Sequence, residues 1–233
     1  DKEIGVVAEA IGGLEPAHTF VVKALKAGKH VVSSNKHLIC EYFEELHSLA
    51  VENGVTIRFT SAVGGGIPWL YNLKRSVRCD NIYKVMGIMN GTTNFILDAM
   101  ISQGRDFDEV LKEAQALGYA EANPSADIDG LDTGRKTAIS SSLAFNTIDY
   151  ITRKLNKTVR YLGFGVKHEN GISAYVEPTL LDSDALEANV NKNFNMITLF
   201  GESVGRLSFY GQGAGKYPTG NALAQDIIDI ING

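Results

Sequence analysis

Cysteine is scarce in this chain, with only Cys40 and Cys79 among 233 residues. Two isolated cysteines build neither a disulfide framework nor a zinc site, so both are expected as reduced thiols with structural roles in a cytoplasmic protein. On that expectation the sequons at Asn90 and Asn156 are only turn-forming residues. Long apolar runs are also missing: none approaches the roughly 18 residues that a membrane span needs. The opening Asp1-Lys2-Glu3 leads straight into a strand-like run instead of a secretory signal. Basic charge is outweighed, with 22 Lys and Arg against 27 Asp and Glu and a net charge of −5. Such a chain has no positive field to hold a polyphosphate backbone, which excludes nucleic acid as the expected partner. The five histidines (His18, His30, His37, His47 and His168) are scattered, and no pair has ligand or relay spacing. Structural or surface roles are expected for all of them. Internal repeats, low-complexity tracts and obvious linkers are absent as well.

What remains is ordinary globular material, 44% hydrophobic and 21% charged, and long enough for one large domain or two modest ones. The first sixty residues alternate strand and helix. Ile4 to Ala8 reads as a short buried strand. Pro16 suits the first turn of a helix running to Ala27, and Gly28 suits its left-handed stop. A strand at His30–Ser33, a helix from about Cys40 to Asn53 stopped by Gly54, and a strand from Val55 to Phe59 follow. Strands separated by helices of this length imply parallel pairing with right-handed crossovers, which is half of a doubly wound sheet.

After Gly64-Gly65-Gly66 the pattern changes. Pro68 to about Val77 predicts a helix, Ile82 to Met89 a strand, and two helices start near Thr93 and Phe107, the second ending at Leu117-Gly118. Asp129 to Phe145 predicts a longer helix. Strands are predicted near Val159–Val166, Ile172–Glu177, Phe194–Phe200 and Val204–Tyr210, and a final helix from Thr219 to Ile230 has Leu223, Ile227 and Ile230 on one face. The expected class is α/β: a partial doubly wound (Rossmann-like) parallel sheet from residues 1–62 plus 216–233, with an α+β substrate-binding and dimerisation domain, residues 63–215, inserted between. At Phe145-Asn146-Thr147-Ile148 one periodic segment meets another with hardly a turn, which reads either as a short helix–helix loop or as a missing stretch.

Chemistry-bearing residues concentrate between Gly118 and Lys136, where Glu121, Asp127, Asp129 and Asp132 sit near Arg135 and Lys136. On a helix, Asp132 and Lys136 are four apart and share a face. A carboxylate beside a lysine orients its ammonium and keeps it charged, as a proton donor to a developing alkoxide requires. The same spacing also describes an acidic helix start with a surface ion pair, and spacing alone leaves both open. Asn90-Gly91-Thr92-Thr93-Asn94 joins a strand to a helix; Thr92 could N-cap it while backbone N–H groups face a carboxylate or carbonyl ligand, or the segment is a plain capped strand–helix turn. Ser33-Ser34-Asn35-Lys36 follows a parallel strand at its carboxyl end, where ligands bind in open sheets, so Lys36 either meets a ligand there or is a solvated loop lysine. Val63 to Pro68 offers carbonyls for a cation or cofactor, or simply a flexible crossing. Gly211-Gln212-Gly213-Ala214-Gly215 looks like a phosphate loop but cannot open a dinucleotide fold, because no further strand or ribose acid follows it.

Taken in order, these segments resemble the homoserine dehydrogenase family. The matching segments are Glu9-Ala10-Ile11-Gly12-Gly13, Gly28 to Lys36, the Val63–Pro68 glycine run, Gly87 to Asn94, Ala114 to Glu121, Asp127 to Lys136, and Gly213-Ala214-Gly215 with Pro218-Thr219. The match covers nearly the whole chain, and the central segment is its most specific part. The resemblance implies interconversion of L-homoserine and L-aspartate 4-semialdehyde with NADP or NAD. It makes Lys136 the general acid–base, Asp132 its carboxylate partner and Lys36 a second active-site lysine that also borders the cofactor. Glu121, Asp127, Tyr119, Thr92, Gly91 and Asp132 line the homoserine pocket, with Glu121 and Asp132 on the substrate ammonium. Ser34, Gly118 and Gly215 border the cofactor, and the carbonyls of Val63, Gly65 and Ile67 would hold a sodium ion. A homodimer built through the middle domain is also implied.

Three departures accompany the resemblance. The family's first strand, glycine fingerprint and ribose acid have no counterpart, so weak NAD(P) binding is expected of a chain without them. Thr60 stands where many members carry a sodium-ligating glutamate. A stretch of the family pattern is missing between Asn146 and Thr147. The alternatives are another NAD(P)-dependent aldehyde or hydroxy-acid oxidoreductase, and a non-catalytic dimerising or ligand-binding fragment.

Overall fold

The computed structural model describes residues 1–119 and 156–233. These divide into two units, Asp1–Arg75 with Gln212–Gly233, and Ser76–Gly211.

In the first unit, β1 (Val6–Glu9), β2 (His30–Ser33) and β3 (Ile57–Arg58) form a sheet in that order, parallel throughout, with Val7 opposite Val31 and Val31 opposite Ile57. The strands run parallel because a helix fills each connection, α1 (Ala17–Lys26) and α2 (Lys36–Glu52). On α1 the positions Ala17, Val21, Ala24 and Leu25 follow helical spacing, and all four are buried. They pack with Val31, Leu38, Ile39, Leu46, Ala50 and Ile57 into one core. Leu25 is fully buried, which stabilises by about 1.5–3 kcal/mol. Gly28, at φ +70°, ends the α1 turn as expected.

The second helix begins at Lys36, earlier than the Cys40 that periodicity suggested. Asn35 caps it, its side chain accepting the Leu38 N–H at 3.2 Å. A kink at Tyr42 (φ −118°, ψ 20°) interrupts the helix. The apolar repeat read from sequence belongs chiefly to the part beyond that kink. A short 3₁₀ turn (Thr60–Ala62) and α3 (Trp69–Ser76) follow. The last helix, Lys216–Ile231, packs on β2 and the 3₁₀ turn. Leu223, Ile227 and Ile230 are half-buried, while the deepest positions are Ala222 and Asp226.

The second unit holds β4 (Ile82–Ile88), α4 (Gly91–Gln103), α5 (Phe107–Ala116), β5 (Lys157–His168), β6 (Gly171–Asp182), a 3₁₀ turn (Glu187–Asn189), β7 (Phe194–Gly201) and β8 (Gly205–Gln212). Its sheet has the order β6-β5-β4-β7-β8; β4 is antiparallel to β5 and β7, and β5 to β6. Every residue of β7 from Asn195 to Leu199 is buried, so both faces of this inner strand are covered. Gly87 permits the β4–β7 pairing: a Cβ there would lie 2.2 Å from the Met196 carbonyl oxygen. Ile96 and Ala99 of α4 and Val110 of α5 pack with Tyr161 of β5. Arg160 of β5 is buried, donating to Asp98 of α4 and to the Ala188 carbonyl at 3.0 Å each. Burial lowers its pKa and Asp98 opposes that shift.

A parallel sheet with helical connections in one unit and an antiparallel sheet in the other make up the mixed α/β architecture expected from the sequence. The helix expected over residues 129–145 and the junction at Asn146-Thr147 lie outside the described residues. Cys40 and Cys79 are unbridged and exposed. Among the described residues no helix is long and apolar enough to cross a membrane.

Candidate active site

Open parallel sheets bind ligands beyond the carboxyl ends of their strands. At that edge, β1 ends in Glu9, which is buried. One oxygen, Oε2, accepts the Ser33 hydroxyl at 2.5 Å; the other, Oε1, accepts the N–H groups of Ile11 at 2.8 Å and Gly12 at 3.4 Å. Ser33 Oγ accepts the Asn35 N–H at 3.1 Å, and Asn35 Nδ2 donates to the Gly13 carbonyl at 2.6 Å. The Ser34 N–H joins the two strand ends by donating to the Glu9 carbonyl at 3.1 Å. Ser34 is half-buried here, and Lys36 is exposed on the first turn of α2 instead of lying in a loop. The Ser34 hydroxyl and the Lys36 ammonium beside a helix N-terminus suit the polar end of a dinucleotide, whereas the Ser33 hydroxyl and the Asn35 amide are already engaged. The glycine fingerprint that cradles a pyrophosphate is not part of this sequence.

The glycine run lies in the same unit as residues 212–215 and packs on them. Gly65, at φ +56°, approaches so closely that a Cβ would sit 2.4 Å from the Gly213 carbonyl oxygen. The Gly66 N–H donates to the Gln212 carbonyl at 3.2 Å, and the Ile67 N–H to that of Gly64 at 3.0 Å. Gly215 has φ +124°, a conformation that L side chains rarely adopt. The Val63 carbonyl accepts the Trp69 indole N–H at 2.7 Å. Thr60 turns away to Asp226, its N–H donating to Oδ2 at 3.0 Å and its hydroxyl to Oδ1 at 2.8 Å. A cation at Val63, Gly65 and Ile67 would therefore rely on neutral carbonyls, one of which already accepts an indole proton. These are the carbonyls that the family resemblance implies, without the glutamate whose place Thr60 takes. Among the described residues no group of three His, Cys, Asp or Glu side chains is placed to hold a metal ion.

Asp226 itself is buried. Burial pushes its carboxyl pKa up, while the two Thr60 bonds and Arg58 pull it down. Next to it Arg58 pairs with Asp229 at 2.9 Å. A cavity of about 270 Å³ opens between Thr60, Pro68 and Tyr71 on one side and Ala222, Gln225 and Asp226 on the other.

In the second unit the start of α4 is fixed from several directions. Asn90, not Thr92, is the N-cap: its side chain accepts the Thr93 N–H at 2.9 Å. Thr92 is buried and donates its hydroxyl to the Tyr119 carbonyl at 2.5 Å, which joins the start of α4 to the segment after α5. The Tyr119 ring meets Phe95 edge-on at 5.2 Å. Gly118, at φ +73°, makes the turn out of α5. A Cβ at Gly91 would lie 2.7 Å from the Asn193 carbonyl oxygen, and Asn94 Nδ2 donates to the carbonyls of Val190 at 2.8 Å and Lys192 at 3.1 Å. Gly91, Thr92, Gly118 and Tyr119 are thus brought together, and Glu121, Asp127, Asp132 and Lys136 follow Tyr119 directly in sequence but lie outside the described residues.

Sequence reasoning missed Glu9, Asn90 as cap, and Asp226. For Glu9 a signal existed, because an acid closes an otherwise apolar strand at its carboxyl end. Three of the histidines have hydrogen-bond or ion-pair partners: His30 Nδ1 accepts the Thr56 N–H at 3.1 Å, His18 lies between Glu15 and Glu45, stacked on Tyr42, and His168 Nε2 is 3.0 Å from the Ser173 hydroxyl.

Known proteins resemble this chain in sequence and in fold. The family model described as "Homoserine dehydrogenase, NAD binding domain" matches residues 1–60, and the one described as "Homoserine dehydrogenase" matches residues 68–228. A homoserine dehydrogenase of Bacillus subtilis is 41% identical over 249 residues, which covers 99% of this chain and 58% of that protein. One from Corynebacterium glutamicum is 43% identical over 250 residues, 97% of this chain and 56% of that protein. The chain therefore spans less than three fifths of the length of these relatives. The crystal structure of a homoserine dehydrogenase from Thiobacillus denitrificans superposes with TM-score 0.88 at 40% identity, over 99% of this chain and 57% of that one. A hyperthermophilic archaeal homoserine dehydrogenase in complex with NADPH matches with TM-score 0.77 at 29% identity, over 97% of this chain and 71% of that one. With two of its models covering most of the sequence and relatives of about 40% identity matching nearly all of it, the chain belongs to the homoserine dehydrogenase family.

Proposed function

We propose that this chain is the catalytic region of a homoserine dehydrogenase, interconverting L-homoserine and L-aspartate 4-semialdehyde with NADP or NAD. On this reading the enzyme is a cytoplasmic homodimer serving threonine and methionine biosynthesis. The reading is carried by identity near 40% over almost the whole chain to proteins of that name. The Gly118–Lys136 segment, with its acids and paired lysine, supports it. In domain terms, residues 1–62 plus 216–233 hold the cofactor, and residues 63–215 bind substrate and dimerise.

When bound, NAD(P) supplies or accepts the hydride that moves between nicotinamide C4 and the C4 carbon of the substrate. Lys136 gives a proton to the oxygen on which negative charge grows as the semialdehyde is reduced, and removes it from the homoserine hydroxyl in the other direction. Its positive charge also stabilises the developing alkoxide before the proton moves. Asp132, four residues earlier, orients that ammonium, and with Glu121 it binds the ammonium of the substrate. Asp127, Tyr119, Thr92 and Gly91 line the pocket; the Thr92–Tyr119 bond supports that part of the proposal. Lys36 is the second active-site lysine, and Ser34, Gly118 and Gly215 border the cofactor with it. The carbonyls of Val63, Gly65 and Ile67 would hold a sodium ion, the Val63 oxygen with its second lone pair, since the first accepts the Trp69 indole N–H.

The test is growth of reduced-cofactor absorbance with L-homoserine and NAD(P)⁺, using full-length protein. Homoserine-dependent reduction supports the assignment, and a well-folded protein without it overturns the assignment. Lys136→Ala is expected to lower turnover by about 10²–10⁴-fold with the fold unchanged. Near-normal turnover would remove Lys136 from its role.

A further inference from the structure

Glu9 is a carboxylate with 3% of its surface exposed, at the end of an apolar strand. Burying an ionised group is costly unless its lone pairs are filled. Here three donors fill them: the Ser33 hydroxyl and the N–H groups of Ile11 and Gly12. Strand pairing alone does not require this, since the Ser34 N–H already joins the strand ends through the Glu9 carbonyl. What the side chain adds is control over two loops that leave the carboxyl edge of the parallel sheet. One is residues 10–13, bonded directly. The other is residues 34–36, held through Ser33 Oγ and Asn35, which in turn bonds back to Gly13.

Packing within this chain does not account for such control. Residues 10–13 and Lys36 are exposed. A Cβ at Gly12 or Gly13 would meet nothing within 4 Å, so glycine there serves the backbone conformation, φ +81° and +69°, and not close packing. A charge buried to shape an exposed, unpacked loop at the ligand-binding edge of a parallel sheet points to a ligand that reads the loop's shape.

We propose that Glu9 is a positioning residue for the dinucleotide cofactor, holding the 10–13 loop and the Ser34–Lys36 turn in the shape that receives its reacting end. This rests on the cofactor part of the proposed function. Glu9 acts through the loops, and no proton transfer is assigned to it.

Glu9→Gln tests it with little change of volume. The amide oxygen still accepts the Ile11 and Gly12 N–H groups, but the NH₂ faces Ser33 Oγ, which already accepts from Asn35 and whose own proton loses its acceptor. In full-length protein, the NADPH dissociation constant from fluorescence titration is expected to rise about tenfold or more. The KM for NADP⁺ rises in parallel, and the KM for homoserine stays within about twofold of the wild type. If Glu9→Gln does not fold, Ser33→Ala decides: it keeps the charge and the bonds to Ile11 and Gly12 but removes the hydroxyl that links Glu9 to the Asn35 N–H, and a severalfold rise in the NADPH dissociation constant is expected. A lowered melting temperature with NADPH binding unchanged in the folded variants would overturn the proposal by making Glu9 purely structural. Weaker NADPH binding by these variants, in a protein whose wild type binds NADPH but does not oxidise homoserine, would sustain this inference while overturning the homoserine assignment.

Discussion

Asp226 turns both carboxylate oxygens to Thr60 and is almost wholly buried. Burial raises its pKa above the ordinary aspartate value near 4, against the pull of the Thr60 bonds and of Arg58; Asp229 adds to the rise. A folded-state pKa above the unfolded one means that the folded state binds the proton more tightly. The contribution to stability is then greatest with Asp226 protonated, and it falls as pH rises from the ordinary value through the raised one. Asp226→Asn removes that slope. Its unfolding free energy, relative to wild type, is expected to climb across this acidic window and then level off, as read from denaturant titrations at a series of pH values. A difference independent of pH would sink the claim. Asp226 did not announce itself in sequence, and Glu9 did so only as an acid closing an apolar strand, because both are common acids whose meaning comes from burial, and burial is set by which helix or strand covers them. Spacing did draw Thr92 out, but in the wrong role, since Asn90 is the cap and the Thr92 hydroxyl reaches Tyr119 instead.

At the scale of elements, that cap yields a direct prediction. Asn90→Ala leaves the Thr93 N–H without its acceptor and is expected to destabilise the second unit by about 1 kcal/mol. Asn90→Asp keeps the acceptor and adds a negative charge at the helix start, so it should match the wild type or exceed it. Equal unfolding midpoints for Asn90→Ala and wild type would show that α4 does not depend on this cap. Strands and helices with regular patterns were legible: His30–Ser33 matches β2 in full, and Gly28 marks the stop of α1. Elements were misjudged where the local rule met an exception. The strand placed near Ile172–Glu177 continues through Pro178 to Asp182, because β6 is at the sheet edge and an edge strand tolerates proline. The kink at Tyr42 hid the first turn of α2, and with it the helical setting of Lys36.

For the whole molecule, the expected class and family were readable because seven short segments occur in one order, whereas no single segment would have decided it. Assembly is a different matter, since it depends on surfaces that only the folded sheet reveals. Along the edge strand β6, Ile172, Val176 and Leu180 point to one side and are 78%, 71% and 47% exposed. An apolar edge strand is a liability in a lone protein, because its unpaired backbone invites another strand. The proposed homodimer resolves this if a second copy covers β6, and a two-fold axis would present the same strand from each protomer. Replacing Ile172 and Val176 together with Lys puts two like charges on each side of that contact. Light scattering is then expected to show the mass falling from dimer to monomer, with circular dichroism unchanged. A wild type that is already monomeric removes the dimer from the proposal, and a double variant that stays dimeric moves the interface away from β6.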